Sequence, residues 1–332
     1  MRRALRVLIL GGLLGLLAAA CGDDEEVTVY SGRNEALIAP LLERFTKETG
    51  VKVAVKYGST SELAATLLEE GDRTPADLFI AQDAGALGAV QSAGLFAPLD
   101  EALLSRVPAA FRSETGHWVA LSGRARVVVY NTERVRPADL PKSILDFTDA
   151  RWKGRIGWAP TNGSFQAFVT ALRVDRGEDA ARAWLRGMKA NGVVDYPNNT
   201  AIVEAVGAGE IDAGFVNHYY LYNFLKERGD GFKARNYFTA PGDVGTLVNV
   251  AGAGILRPSK ADGAKRLLEY LLSESAQRYF AEQTFEYPVI AAVKPSADLQ
   301  PLAEIRPPAL ELSRLEDLRG TLKLLRESGV LP

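Results

Sequence analysis

Cysteine is nearly absent. The 332-residue chain has one, Cys21, so no disulfide framework, CxxC zinc site or cysteine nucleophile can form beyond it. Histidine is almost as scarce, with only His117 and His218, which leaves little for acid–base catalysis. No G-x-S-x-G elbow, HExxH, Walker loop or G-x-G-x-x-G occurs, and an enzyme built on those mechanisms is excluded. Positive charge is not in excess: 39 Lys and Arg stand against 41 Asp and Glu, a net charge of −2. Nothing here suggests a nucleic-acid partner.

What is present begins with "MRRALRVLILGGLLGLLAAACGDDEE". Arg2, Arg3 and Arg6 precede an apolar stretch over residues 7–17, then small residues and Cys21. That is the layout of a secretory signal, too short and wrongly flanked for a stable membrane span. "LAAAC" resembles a bacterial lipobox, with Ala18 where Leu is usual. The resemblance implies a signal over residues 1–20, lipidation at Cys21, and a polar tether over 21–26. The alternative is an ordinary cleaved signal with an incidental cysteine. Dual acylation would hold the protein on a membrane surface, since one chain alone binds marginally.

About 310 residues remain beyond the signal, and 47% of the chain is apolar. That suffices for a large core, near the size at which one core splits into two. Short β-rich runs alternate with amphipathic patterns. "VTVYSG" (27–32), "VKVAVKYG" (51–58) and "ADLFIAQD" (76–83) read as strands. "EALIAPLLERFTKETG" between the first two places Leu37, Leu41, Leu42 and Phe45 at helical spacing, with Gly50 as its stop. "SELAATLLEEGD" reads as a helix capped by Ser61, and "AGALGAVQSAG" as a small-residue helix. This alternation predicts a mostly parallel sheet covered by helices, with ligands at the carboxyl ends of its strands. The plan repeats in the middle of the chain through "RVVVYN" (126–131), "GRIGWAPTNGSFQAFVTAL" (154–172) and "TAIVEAVGAGEIDAGFVNHYYL" (200–221). Two α/β lobes, joined by extended strands near 124–131 and 246–256, are expected to enclose a ligand cleft.

Several blocks in order then carry a resemblance: "VTVYSGR", "LLERFTKETGVKV", "ADLFIAQDAGAL", "HWVALSGRARVVVYNTERV", "WKGRIGWAPTNGSF", "AVGAGEIDAGFVNHYYL", "VNVAGAGIL" and "EYPV". Over nearly the whole mature chain the sequence resembles the bacterial periplasmic ferric-ion-binding proteins, the solute receptors of iron ABC transporters. The resemblance implies a two-lobe type II periplasmic-binding-protein fold, each lobe a mixed, mostly parallel sheet flanked by helices, joined by two crossover strands. On it, residues 27–125 plus 251–299 would form the first lobe and 126–250 plus 300–332 the second. The paired tyrosines that bind Fe³⁺ in that family match Tyr219 and Tyr220. The turn that holds a synergistic phosphate or carbonate matches Asn162, Gly163 and Ser164, and two further polar positions match Asn199 and Asn217. Some members carry a first-lobe histidine where Asn34 stands and a glutamate where Gln82 stands; both are neutral amides here. Candidates for the first-lobe side of a metal shell are therefore Asp83, Gln82, Asn34 and Tyr57. The implied partners are an ABC permease and its ATPase, for a monomeric receptor in the periplasm or on the outer face of the cell membrane. A rival on the same scaffold is a receptor for an organic phosphate, phosphonate or other small solute without metal.

The residue types suit this chemistry. A free phenol has a pKa near 10, but a trivalent cation stabilises the phenolate, by the logic that acidifies metal-bound water. Oxygen ligands suit hard cations. Adjacent residues point about 100° apart on a helix and oppositely on a strand, so both oxygens reach one ion only where strand passes into loop or helix. "TNGS" precedes a helical pattern, and a helix start offers unpaired N–H groups to an anion. Tyr222 is expected to pack or line the rim, and His218 to support the pair or lie at the surface. Arg124 and Arg126 are expected to lend positive potential to an anion or, for Arg126 above all, to pair with surface carboxylates.

Overall fold

The computed structural model describes residues 25–259 and 262–332. The signal, Cys21 and most of the tether lie outside the described residues. The tether's end does not: β1 (Glu26–Ser31) starts at Glu26, which pairs with Lys52.

β1 leads into α1 (Glu35–Thr49), β2 (Lys52–Tyr57), α2 (Thr60–Glu70), β3 (Leu78–Ala81), α3 (Ala84–Ser92) and the single turn α4 (Glu101–Leu104). Gly50 ends α1 in the left-handed conformation, φ 77°, which glycine adopts without steric cost. The cap of α2 is Ser59, not Ser61: Ser59 and Glu62 form a reciprocal capping box. Strand β4 (Val119–Asn131) is longer than the alternation of "RVVVYN" suggested, because six residues before Arg126 pair in a second sheet, with a register shift at Leu121. Next come β5 (Ile156–Trp158), α5 (Gly163–Arg176), α6 (Glu178–Ala190), β6 (Val194–Asp195), α7 (Asn199–Ala208), β7 (Ala213–Asn217), α8 (Tyr219–Arg228), β8 (Ala234–Tyr237) and β9 (Val248–Ile255). The chain finishes with α9 (Asp262–Leu271), α10 (Glu274–Glu282), the turn α11 (Leu302–Ile305) and α12 (Leu318–Glu327).

The strands form two sheets that share β4. In the first, the order is β2-β1-β3-β9-β4; β2, β1 and β3 are parallel and β9 runs against them. In the second, β4 lies between β8 and β7, followed by β5 and β6. The change of sheet falls at Ala125: Val119–Ala125 pairs with β9, and Arg126–Tyr130 pairs with β7. Every residue of β4 is buried, as a strand shared by two lobes requires.

Helices cover both sheets. Ile38, Leu41, Leu42 and Phe45 of α1 are buried against the first. In the second lobe Trp158, Phe165, Phe168, Trp184 and Phe215 meet largely edge to face, with neighbouring ring centroids 5.2–6.0 Å apart. All four tryptophans are core residues. Helix α12 docks on α5 through a Thr170–Thr321 hydroxyl contact of 2.7 Å and an Arg173–Asp317 ion pair. The segment just before it runs along α3, where Gly85 and Gly88 leave room for Leu315 and Glu316.

Candidate functional site

The loops that leave β1, β2, β3, β5, β6 and β7 each feed a helix. The starts of α1, α2, α3, α5, α7 and α8 therefore gather around the space between the two sheets. Their caps are Asn34, Ser59, Asp83, Asn162, Asn198 and His218. Unpaired N–H groups and partial positive charge accumulate there. A cavity of about 180 Å³ lies at the meeting point, lined by Arg33, Asn34 and Gln82 from one side and Asn162, Gly163 and Tyr220 from the other.

Tyr219 and Tyr220 open α8 directly after β7 ends at Asn217. The expected junction of strand and helix is present, and it brings the two rings to 4.4 Å between centroids at 31°. Tyr219 is wholly buried and its hydroxyl has no hydrogen-bond partner among the described residues. Tyr220, 5% exposed, faces the cavity. Burial first, and then the neighbouring Tyr219, hold the Tyr220 phenol well above its ordinary pKa.

The Asn162–Gly163–Ser164 turn caps α5. The Ser164 N–H and hydroxyl both donate to Asn162 Oδ1, at 3.0 and 2.5 Å. Asn199 Nδ2 reaches Ser164 Oγ at 3.5 Å, and Asn199 Oδ1 is unpartnered. Asn217 accepts from Arg126 at 3.3 Å, while its own Nδ2 is unpartnered. The structure thus brings together Tyr219, Tyr220, Asn162, Gly163, Ser164, Asn199 and Asn217.

Three arginines surround them. Arg126 is 3% exposed and, among the described residues, pairs with Ser164 and Asn217 and not with a carboxylate, contrary to its expected pairing at the surface. It lies on the buried part of β4 where the sheets diverge, and its Nη1 also reaches Ser164 Oγ at 3.4 Å. Burial lowers its guanidinium to about 9, which leaves it charged at neutral pH. Arg124 is 1% exposed and donates to the Val250 carbonyl at 3.1 Å; burial lowers its pKa as well. Arg33, at the end of β1, forms a two-pronged pair with Glu286 at 2.7 and 2.6 Å. Burial works against the Arg33 charge, and Glu286 overcomes it. Ser122 and Thr284 also donate to Glu286.

Reading the sequence missed Arg33 and Glu286. The available signals were an arginine immediately after "YSG", at a carboxyl strand end, and the lone acid in "TFEYP". Phe285, next to that acid, has φ 54°, a conformation costly for a residue with a side chain. Its carbonyl receives His218 Nε2 at 2.8 Å, while His218 Nδ1 accepts from the Ala125 N–H at 3.2 Å. His218 is therefore a buried neutral strut between β4, α8 and the Phe285 turn, with burial pulling its pKa down to about 4. Tyr222 packs on Phe285 and donates to the Asp298 carbonyl.

The first-lobe candidates are placed unequally. Gln82 is buried and lines the cavity, and its backbone N–H donates to Thr60. Asn34 lines the cavity too, but its side chain caps α1 by accepting from the Ala36 N–H at 3.0 Å. Tyr57 lines a different groove, with Glu35 and Glu43 of α1. Asp83 is 2% exposed; its Oδ1 caps α3 and its Oδ2 faces Gly163 across the cleft. Burial raises its carboxyl to about 6.

Among the described residues no three His, Cys, Asp or Glu side chains converge to hold a metal ion. Instead, Tyr219 Oη, Arg124 Nε and Nη1, Arg126 Nη2, Asn199 Oδ1 and Asn217 Nδ2 are all buried without partners. Buried polar atoms are otherwise almost always paired. Four of these six atoms are N–H donors that an oxygen-rich, anionic guest would satisfy, whereas Asn199 Oδ1 can only accept.

Comparison with known proteins agrees with this architecture. Residues 73–308 match the family described as bacterial extracellular solute-binding protein. The chain is 35% identical over 337 aligned residues to the major ferric iron-binding protein of Neisseria meningitidis serogroup B, covering 99% of this chain and all of that one. It is 34% identical to the Fe(3+)-binding periplasmic protein of Serratia marcescens, over 96% of this chain and 95% of that protein. The crystal structure of iron-bound HitA from Pseudomonas aeruginosa superposes with a TM-score of 0.88 at 34% identity, covering 92% of this chain and 99% of that one. The fold is thus the two-lobe type II periplasmic-binding-protein fold, and the chain belongs to the bacterial extracellular solute-binding proteins, among the periplasmic ferric-ion-binding members, as a transport receptor and not an enzyme.

Proposed function

We propose that the protein closes its two lobes over Fe³⁺, held by the phenolates of Tyr219 and Tyr220 together with a synergistic phosphate or carbonate. The anion occupies the cradle of Asn162, Gly163, Ser164, Asn199 and Asn217. The observation that carries this reading is the buried, unpartnered Tyr219 hydroxyl beside a cluster of unpartnered cationic and amide N–H groups. A phenol alone is neutral at pH 7; a hard trivalent cation displaces its proton. Two phenolates and a multiply charged anion then nearly neutralise the ion, and Arg124 and Arg126 offset the remaining negative charge on the oxygens. The cavity of about 180 Å³ is large enough for an ion with a small anion and lies below the roughly 300–1,000 Å³ typical of pockets for drug-sized ligands.

The relatives support the cargo: the Neisseria and Serratia proteins are named for ferric iron, and HitA was crystallised with iron bound. On this reading the protein works in the periplasm or on the outer face of the cell membrane, anchored through Cys21, and delivers iron to an ABC permease driven by its ATPase. Closure is a hinge motion about β4 and β9. Ferric-loaded protein is expected to show a visible phenolate-to-iron charge-transfer band. Changing Tyr219 and Tyr220 together to Phe should abolish the band and weaken iron binding by more than about 1,000-fold, or roughly 4 kcal/mol. Tight binding of an organic phosphate without metal would overturn the assignment.

A further inference from the structure

We infer that Asp83 selects the accompanying anion: the cradle takes an oxyanion that still carries a proton, hydrogen phosphate or hydrogen carbonate, and rejects one that carries none, such as sulfate. This rests on the anion cradle described above and adds the rule by which it discriminates.

The geometry is specific. Asp83 is 2% exposed and belongs to the first lobe, whereas the cradle belongs to the second. Its Oδ1 is committed to the Ala86 N–H at 2.9 Å. Its Oδ2 points across the cleft to the start of α5. A methyl group built on Gly163 would come within 2.8 Å of that oxygen and 3.1 Å of the Thr60 Cβ. Glycine at 163 is what lets a carboxylate approach the cradle. Nearby, Arg126 Nη2, Asn217 Nδ2 and Arg124 Nη1 are buried donors without partners, so the surroundings call for an anion.

An acceptor-only carboxylate beside such donors has a chemical consequence. It accepts a hydrogen bond from an anion's remaining O–H and repels an oxygen that bears only charge. The donors supply affinity for any oxyanion, and Asp83 supplies the penalty that separates protonated from unprotonated ones. Asparagine at this position would keep the helix cap, being as good an N-cap as aspartate, and would offer an N–H where the carboxylate had only lone pairs.

The test is calorimetric titration of the metal-free protein with phosphate, bicarbonate and sulfate, at pH 7.5 and matched ionic strength. The wild type should bind phosphate or bicarbonate at least about 10-fold tighter than sulfate, and the stronger of those two identifies the natural anion. Asp83→Asn should bring sulfate to within about 3-fold of the preferred anion. Asp83→Ser, which also caps a helix, should do the same if the carboxylate is the cause. Equal binding of sulfate by the wild type, preference retained in both variants, or no binding of any of the three would overturn the inference. The iron reading is scored separately by the charge-transfer band. Loss of the band with anion preference intact would remove the iron assignment and leave this inference standing, and the converse result would do the opposite.

Discussion

The two walls of the cleft differ in how well their polar groups are satisfied. On the first-lobe side, Arg33 is matched by Glu286 through both terminal nitrogens and only its Nε lacks a partner, Asp83 and Asn34 cap their own helices, and Glu286 accepts from two further hydroxyls. On the second-lobe side and along β4, Tyr219, Asn199, Asn217, Arg124 and Arg126 all carry buried atoms without partners. The first wall is largely satisfied by its own groups, with Asp83 Oδ2 left facing the cleft. A wall of unsatisfied groups has exchanged stability for affinity, because each unmade hydrogen bond costs about 1–3 kcal/mol until a ligand arrives. On the proposed function, the second lobe would grip the ligand and the first lobe would close on it as a preformed lid.

Three measurements break or sharpen this contrast. The largest effect is expected from Glu286→Ala, which strands the Arg33 charge in the interior. Breaking a buried pair from one side destabilises by about 3–5 kcal/mol, and urea unfolding of the metal-free protein should show that loss. A change under about 1 kcal/mol would mean that the first-lobe wall is not held by this pair.

Next is the acid limb. His218 stands near 4 in the fold against an ordinary 6.5. Between those values the unfolded chain binds more protons, so the His218 contribution is whole above about 6.5 and is lost as pH falls to about 4. Asp83 stands near 6 against an ordinary 3.8. There the folded chain binds more protons, and stability rises as pH falls through that window. The two nearly cancel in the wild type. Asp83→Asn removes one side, and its stability should drop by about 3 kcal/mol more than wild type between pH 6.5 and 4. Parallel pH profiles for the two proteins would contradict this assignment of buried charges.

The smallest effect is expected from Arg126→Met. An unpaired buried guanidinium is a cost in the empty protein, so its replacement should stabilise the metal-free form by about 1 kcal/mol while weakening anion binding. A thermal shift measured with and without phosphate reads both. A variant that is less stable when empty would show that Arg126 supports the fold and is not held ready for a ligand.

Much of this could be read before the fold was seen. The strand–helix alternation placed most elements within a few residues, since periodicity and caps are short-range properties. The tyrosine pair was legible because two adjacent phenols need a strand–helix junction to converge, and apolar "AGFVN" gives way to helical spacing at that point. Ser59, and not Ser61, caps α2 because the reciprocal glutamate lies three residues on. The first-lobe candidates were harder to place, because sequence names a side chain and not its direction. Tyr57 ends a strand whose side chain lies along α1, and Asn34 is occupied by its own helix.

The sequence by itself determined the order of the elements, the doublet at its junction and the capped turn before α5, all consequences of residues within a few positions of one another. Only the tertiary structure decided which charges are paired. Arg33 and Glu286 are 253 residues apart and meet across the first lobe, whereas Arg124 and Arg126, two positions apart on a shared strand, are buried with donors to spare. The physical reason is that a charge's partner and its exposure to water are set by which surfaces pack together, and local pattern carries no record of that.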